Sequence, residues 1–424
     1  MRMIRLLGKI VVIIFTSFYF FPFEFRFLPG FNTKMIMAGL GLILLIYQLA
    51  KQRNSIISRS FFQLSLWSGV VSLFCFFSVV INDTNDYTYS TYLVSMWVWV
   101  AAAYFLIYLI RKLHGIVSIE LVANYLIIVC IIQCLIAFLL VQSPSFTNFV
   151  SLFYEIDTKD DRMTGIGAGL DVAGSRFAAV LILIAYLLGR SSTTILKRYI
   201  GLYMGAFFII AIIGNMISRT TTIGILFALV YFILMSKQVP SNTKKIVCWF
   251  GGILSMVVCC SIFLYHTDII FREHIRFGFE GFFSLVEKGR WEVHSNEILK
   301  DMYVFPDNLK TWLIGDGYLN DPFGLDPYYT GIDWNGYYQN TDVGYLRFIY
   351  YFGLLGLIPF CIFMYKNYKV CACYFPTSQS LFLLFLLLNF IIWFKVSTDI
   401  FLVFALFLCI GGEENERYNQ QISI

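Results

Sequence analysis

Twelve long apolar runs constrain this chain more than any other feature. They lie at approximately 7–23, 35–50, 61–81, 91–110, 121–141, 171–189, 199–217, 219–236, 246–265, 342–365, 378–394 and 398–412. A helix needs roughly 20 apolar residues to cross the hydrocarbon of a bilayer. In lipid each segment must satisfy its own backbone hydrogen bonds, so long runs without strand alternation imply helices. Composition agrees: 59% of the 424 residues are apolar or aromatic and 13% are charged, about half the charge of a soluble domain. The reading is an all-α polytopic membrane protein with twelve spans. It has eleven if the last two runs form one bent helix, rather than a tight hairpin, around Lys395 and Asp399. A soluble enzyme, a disordered chain and a nucleic-acid-binding protein are excluded. The net charge of +5 is scattered over short loops, with no basic patch.

Arg2, Arg5 and Lys9 precede the first run, as in a signal peptide, but aromatics crowd Phe18 to Phe27 where a small-residue cleavage site would stand. The run reads as a retained helix. Eight of the ten cysteines fall in apolar runs, while Cys371 and Cys373 sit in a short basic loop. No spacing suggests a metal site or a disulfide framework.

Basic residues set the orientation. With the N-terminus in the cytoplasm, every inner loop is basic, including Lys51, Arg53 and Arg59; Arg111 and Lys112; Arg190, Lys197 and Arg198; Lys237, Lys244 and Lys245; and Lys366 and Lys369. Short outer loops hold only Arg26, Lys34, Lys159, Arg162 and Arg219. Residues 1–265 thus carry spans 1–9, 266–341 a large external loop, 342–412 spans 10–12 and 413–424 a cytoplasmic tail. The 76-residue loop holds sixteen Phe, Tyr or Trp residues, too many for a flexible linker. Loops this long are usually functional. A smaller outer loop, 142–170, contains Asp157–Asp161 and Gly165-x-Gly167-x-Gly169. No internal repeat links the halves of the chain, which counts against a transporter.

Charges within spans mark candidate sites. Arg176 lies near the start of span six, Arg219 in the turn before span eight, and Asp342 and Arg347 at the start of span ten. At 1.5 Å per residue all lie within roughly 8 Å of the outer interface. Three guanidiniums at one level form an expected receptacle for phosphate, which arginine grips with a planar, permanently charged fork. Each could also snorkel to the interface or pair with an acid. Asp342 and Arg347 are five apart, roughly 140° around a helix, so they are not expected to pair. Lys395 and Asp399 are four apart and read as a structural ion pair.

In the large loop, Phe282 to Tyr303 is expected to form one amphipathic helix, with Arg290 and His294 on one face and Glu287 a turn earlier. Trp312 to Tyr318 is a glycine-bracketed turn without the Gly-Lys-Ser/Thr of a P-loop. Asp321, Asp326 and Asp333 lack calcium-loop spacing, so no metal is expected. The aromatic run Asp326–Tyr338 suits sugar rings, and equally ordinary loop packing.

Four short motifs in order resemble the bacterial O-antigen polymerase and O-antigen ligase superfamily. They are Ser218-Arg219-Thr220; Gly289-Arg290 followed by His294; Leu313-Ile-Gly-Asp-Gly317; and Thr341-Asp342-Val-Gly-Tyr-Leu-Arg347 leading into Phe352-Gly353-Leu-Leu-Gly356. The resemblance covers about residues 165–365 and extends to roughly twelve spans with one large outer loop. Many ligase-type members carry His-Asn-x-Tyr-Leu after that loop. Alignment on Tyr345-Leu346 puts Asp342 in the histidine's place, which favours polymerase over ligase.

The resemblance implies a glycosyltransferase of the bacterial plasma membrane that uses neither metal nor cofactor. The donor would be a glycan on undecaprenyl pyrophosphate and the acceptor one lipid-linked repeat unit. Partners would be the bilayer and a regulator of chain length. Arg176, Arg219 and Arg347, with Arg290, would stabilise the leaving pyrophosphate. Asp342 is the first candidate base and His294 the second. The rivals are a ligase moving finished glycan to an acceptor, and a transporter or flippase of lipid-linked sugars. Charges only near the outer end disfavour the flippase.

Overall fold

The computed structural model describes residues 2–51, 59–156, 162–189, 194–236, 240–322 and 336–422. Among these residues the secondary structure is helical, save two isolated antiparallel bridges, Glu24 with Asn32 and Asn320 with Tyr337. Seven of the described helices are long and apolar enough to cross a membrane, and four shorter apolar helices accompany them. The chain is a helical membrane protein. It forms two compact units, Met1–Gly41 with Tyr104–Trp291, and Leu42–Ala103 with Glu292–Ile424.

Helices are numbered in chain order. The first unit contains α1 (Arg2–Phe20), the start of α2 (Thr33–Lys51), the end of α4 (Tyr92–His114), α5 (Ile119–Gln142), α6 (Pro144–Ser151), α7 (Leu170–Gly189), α8 (Thr194–Ile217), α9 (Thr221–Ser236), α10 (Pro240–Thr267), α11 (Ile269–Gly278) and α12 (Glu280–Lys288). Its centre is α7, buried at every residue from Ala173 to Leu188. Small residues bring α7 and α9 together. A Cβ placed on Gly224 would stand 2.2 Å from the Ala178 Cα. Apolar lipid does not drive helices together as water does, so such close backbone packing carries the association. In contrast α10 buries none of its span. An apolar groove of about 680 Å³ runs along it beneath α11 and α12, lined by Phe207, Phe250, Leu254, Ile262, Phe279 and Phe283.

The 142–170 segment is partly helical, as α6. Gly167 has φ +68° and packs where a Cβ would strike the Phe21 and Pro22 carbonyls. Asp157–Asp161 lies outside the described residues.

The second unit contains the end of α2, α3 (Arg59–Ile81), the start of α4, α13 (His294–Asp301), α14 (Leu309–Leu313), α15 (Gly344–Tyr374), α16 (Gln379–Ile392) and α17 (Phe401–Ile422). Here α15 packs along α3, α16 and α17. It is interrupted at Gly353, whose φ +62° and ψ −172° belong to a region essentially confined to glycine. The expected turn at Trp312–Tyr318 docks on this interruption. The Asp316 and Gly317 amides donate to the Tyr350 and Tyr351 carbonyls at 2.6 and 3.2 Å. The Ser78 hydroxyl of α3 donates to the same Tyr351 carbonyl at 2.7 Å.

The structure corrects one local expectation and decides between two alternatives for another. Phe282–Tyr303 is not one helix: α12 ends at Gly289, left-handed at φ +71°, and α13 begins at His294. The last two apolar runs are separate helices, α16 and α17, with the irregular segment 393–400 between them. Lys395 and Asp399 both lie in that segment. Asp399 accepts from the Phe401 amide at 2.9 Å and so starts α17.

Candidate functional site

In the first unit, three expected site arginines follow from local structure. Arg176 is on the first turns of α7 and only 6% exposed. Its guanidinium lies 5.8 Å from the Phe21 ring centre. Arg219 occupies the turn between α8 and α9. Both hydroxyls flanking it, Ser218 and Thr220, donate to Asp171 at the start of α7, the first at 2.8 Å. This latch ties the N-terminal ends of α7 and α9 together.

Arg219 itself is committed to neighbours. Its Nε donates to the Phe277 carbonyl at 3.0 Å, its Nη2 pairs with Glu280 at 2.7 Å, and its charge lies 4.1 Å from the Phe277 ring centre. Arg162 lies 5.3 Å from the centre of the same ring. Burial lowers the Arg219 pKa from its ordinary value, Glu280 and Asp171 oppose that, and Arg162 adds to it. An arginine keeps its charge under such shifts. The cluster therefore sets two guanidiniums against two carboxylates.

Arg290 follows Gly289 at the end of α12 and is exposed. It shares no helical face with His294, because the intervening backbone is not helical. Glu287 is engaged instead by Arg276, in a two-pronged pair at 2.7 and 2.8 Å. That pair holds the Glu287 carboxyl below its ordinary value.

In the second unit, His294 opens α13 on the surface. Asp342 and Arg347 stand at the start of α15, and here the structure overturns an expectation. They pair, with Arg347 Nη1 3.6 Å from Asp342 Oδ1. Helical spacing does not apply, because Asp342 precedes the helix and Val343 has extended backbone, φ −62° and ψ 114°. Arg347 is 9% exposed. It also donates to Ser397 Oγ at 2.7 Å, the Leu319 carbonyl at 3.2 Å and Asn320 Oδ1 at 3.0 Å. The Tyr337 ring centre lies 4.5 Å from its charge. Among the described residues its Nε is buried without a hydrogen-bond partner.

A polar shell supports this pair. The Tyr89 hydroxyl donates to the Ser397 carbonyl at 3.0 Å. Tyr351 donates to the Asp86 carbonyl at 2.6 Å, and the Asp86 side chain accepts from the Leu319 amide at 2.8 Å. Before Asp342 the chain is strained, with Gln339 and Asn340 both left-handed at φ +54°. Such a conformation costs about 1–2 kcal/mol for a residue with a Cβ, less for asparagine. The aromatic run Asp326–Tyr338 lies outside the described residues as far as position 335.

Sequence reasoning missed Asp171, Glu280, Phe277, Ser397 and Asn320. Asp171 was detectable: it is an acid on the first turn of an apolar run, five residues from Arg176. Glu280, Phe277, Ser397 and Asn320 are joined to their arginines only by the fold. Among the described residues no three His, Cys, Asp or Glu side chains cluster as metal ligands would. No known family model, curated protein or solved structure matches the chain.

Proposed function

We propose that the chain is a polysaccharide polymerase of the bacterial plasma membrane. In this reading it has twelve spans, both termini inside and its 266–341 loop outside. It joins undecaprenyl-pyrophosphate-linked repeat units. The observation that carries the reading is the Asp342–Arg347 pair. A proton acceptor and a buried cation stand together where the apolar α15 begins, and a helix N-terminus itself favours anions.

The acceptor sugar hydroxyl attacks the anomeric carbon of the donor. Its proton passes to Asp342, with His294 the second candidate. The bond from the anomeric carbon to the pyrophosphate oxygen breaks, and the carrier leaves with the electron pair. Arg347 offsets the negative charge growing on that oxygen. Taken by itself, the first unit offers Arg176 as a candidate for a phosphate group, with Arg219 a second once released from Glu280, and a 680 Å³ groove that suits a hydrocarbon chain. Arg290 is exposed, as a residue meeting a soluble headgroup would be.

The test is polymerisation by purified protein given lipid-linked repeat units. Asp342→Asn and Arg347→Ala are each expected to lose roughly 100- to 1,000-fold in rate, the usual cost of one electrostatic stabiliser or positioned base. A normal ladder of chain lengths from Asp342→Asn would remove Asp342 as base. No polymer from the wild type would remove the assignment.

A further inference from the structure

One aromatic–polar cluster in the second unit has no part in the chemistry above. Tyr337 turns its ring to Arg347, while Tyr338 turns toward Tyr318 and Tyr350. The Tyr338 and Tyr318 ring centres are 5.5 Å apart and those of Tyr338 and Tyr350 5.6 Å. The Tyr338 hydroxyl reaches Asp316 Oδ2 at 3.4 Å. The other oxygen of Asp316 accepts from Lys310 at 3.0 Å and Thr311 at 2.7 Å. Next in the chain come the left-handed pair Gln339 and Asn340, both exposed.

Simple loop packing accounts for the rings but not for the rest. A half-buried aromatic cluster does not call for a lysine–aspartate pair at its edge, with Lys310 49% exposed. Nor does it call for two strained residues with amide side chains where glycine would relieve the strain. Strain of this kind gathers at ligand clamps. Tyrosine offers a flat apolar face with a polar tip, the counterpart of a sugar ring with one C–H face and a rim of hydroxyls. Asp316 and Lys310 cancel in charge, so the site selects no ion. Amides both donate and accept, as hydroxyls require.

We propose that Tyr318 and Tyr338, with Asp316, Lys310, Gln339 and Asn340, form a saccharide subsite for a neutral pyranose. The inference rests on the polysaccharide reading and deepens it. Tyr338 and Tyr337 are adjacent, so the subsite holds a sugar beside the Asp342–Arg347 pair and sets which repeat unit is accepted.

The experiment uses the whole chain in lipid nanodiscs, free of glycoside detergent. Probes are neutral disaccharides and trisaccharides of glucose, galactose, mannose, rhamnose and N-acetylglucosamine, with a glucuronate disaccharide as the charged control. Saturation-transfer NMR reads binding, and thermal unfolding reads stability. At least one neutral probe is expected to bind better than the control, and Tyr338→Ala to weaken it about tenfold. Asn340→Gly is expected to weaken binding while leaving the unfolding temperature unchanged or raised, since glycine relieves a left-handed position. A structural role alone would not separate the two readouts. No neutral probe bound, a glucuronate probe bound as well, or wild-type binding by Asn340→Gly would each overturn the subsite. Saccharide binding without transfer from a lipid-linked donor would end the polymerase reading and leave the subsite standing. Unaltered binding in the variants of an active polymerase would do the reverse.

Discussion

Arg219 shows how one charged side chain is accommodated at the edge of an apolar bundle. Glu280 neutralises it, Phe277 covers it, and the hydroxyls beside it hold Asp171. Removing one member of a partly buried pair leaves the other uncompensated. Arg219→Ala is therefore expected to cost about 1–3 kcal/mol, with the Glu280 side chain 32% exposed keeping the figure below that of a fully buried pair. Arg219→Ala combined with Glu280→Gln should recover part of the loss in thermal unfolding. A double variant no more stable than Arg219→Ala would show that the pair does not hold this turn. Local sequence pointed to Arg219, because a cation between apolar runs is costly. It could not point to Glu280, 61 positions later, since only the fold of α11 and α12 returns that acid to the turn. The Asp342–Arg347 pair was missed for a different reason. Helical geometry was assumed two residues too early, and the extended Val343 brings the two charges round to each other.

At the scale of elements, glycine breaks decide what the periodicity cannot. The apolar pattern of α15 runs through Gly353 unchanged, yet the helix is interrupted there and exposes two carbonyls to the 315–317 turn. A Cβ at Gly353 would stand 2.2 Å from the Leu313 carbonyl oxygen. Gly353→Ala therefore both strains the backbone and pushes the turn away, a cost of roughly 2–4 kcal/mol. Limited proteolysis should find new cleavage near 313–317 in that variant. Protection equal to the wild type would mean that the turn docks without the glycine. The break between α12 and α13 had a readable signal, since glycine commonly ends a helix. The amphipathic pattern ran across Gly289 and masked it. Apolar helices such as α5 and α7 were legible because runs of about 20 residues admit little else.

For the whole molecule, the proposed orientation predicts which residues face outward. In a cysteine-free background that folds, a membrane-impermeant maleimide is expected to label Asp307→Cys in intact cells and to spare Lys112→Cys until the cells are opened. The opposite pattern would reverse the orientation. Helical class and most apolar segments could be read from hydropathy and loop charge, which act locally. The division into two units could not, because each unit joins segments far apart in the chain. In the second unit the Ser78 hydroxyl finds its carbonyl 273 positions away, on Tyr351. That separation sets an order of biogenesis. A ribosome releases α3 into the bilayer long before α15 exists, so α3 must wait in lipid without the carbonyl that its hydroxyl bonds in the folded chain. During that interval it is exposed to quality-control proteases, and a message cut short before α15 would leave it stranded for degradation.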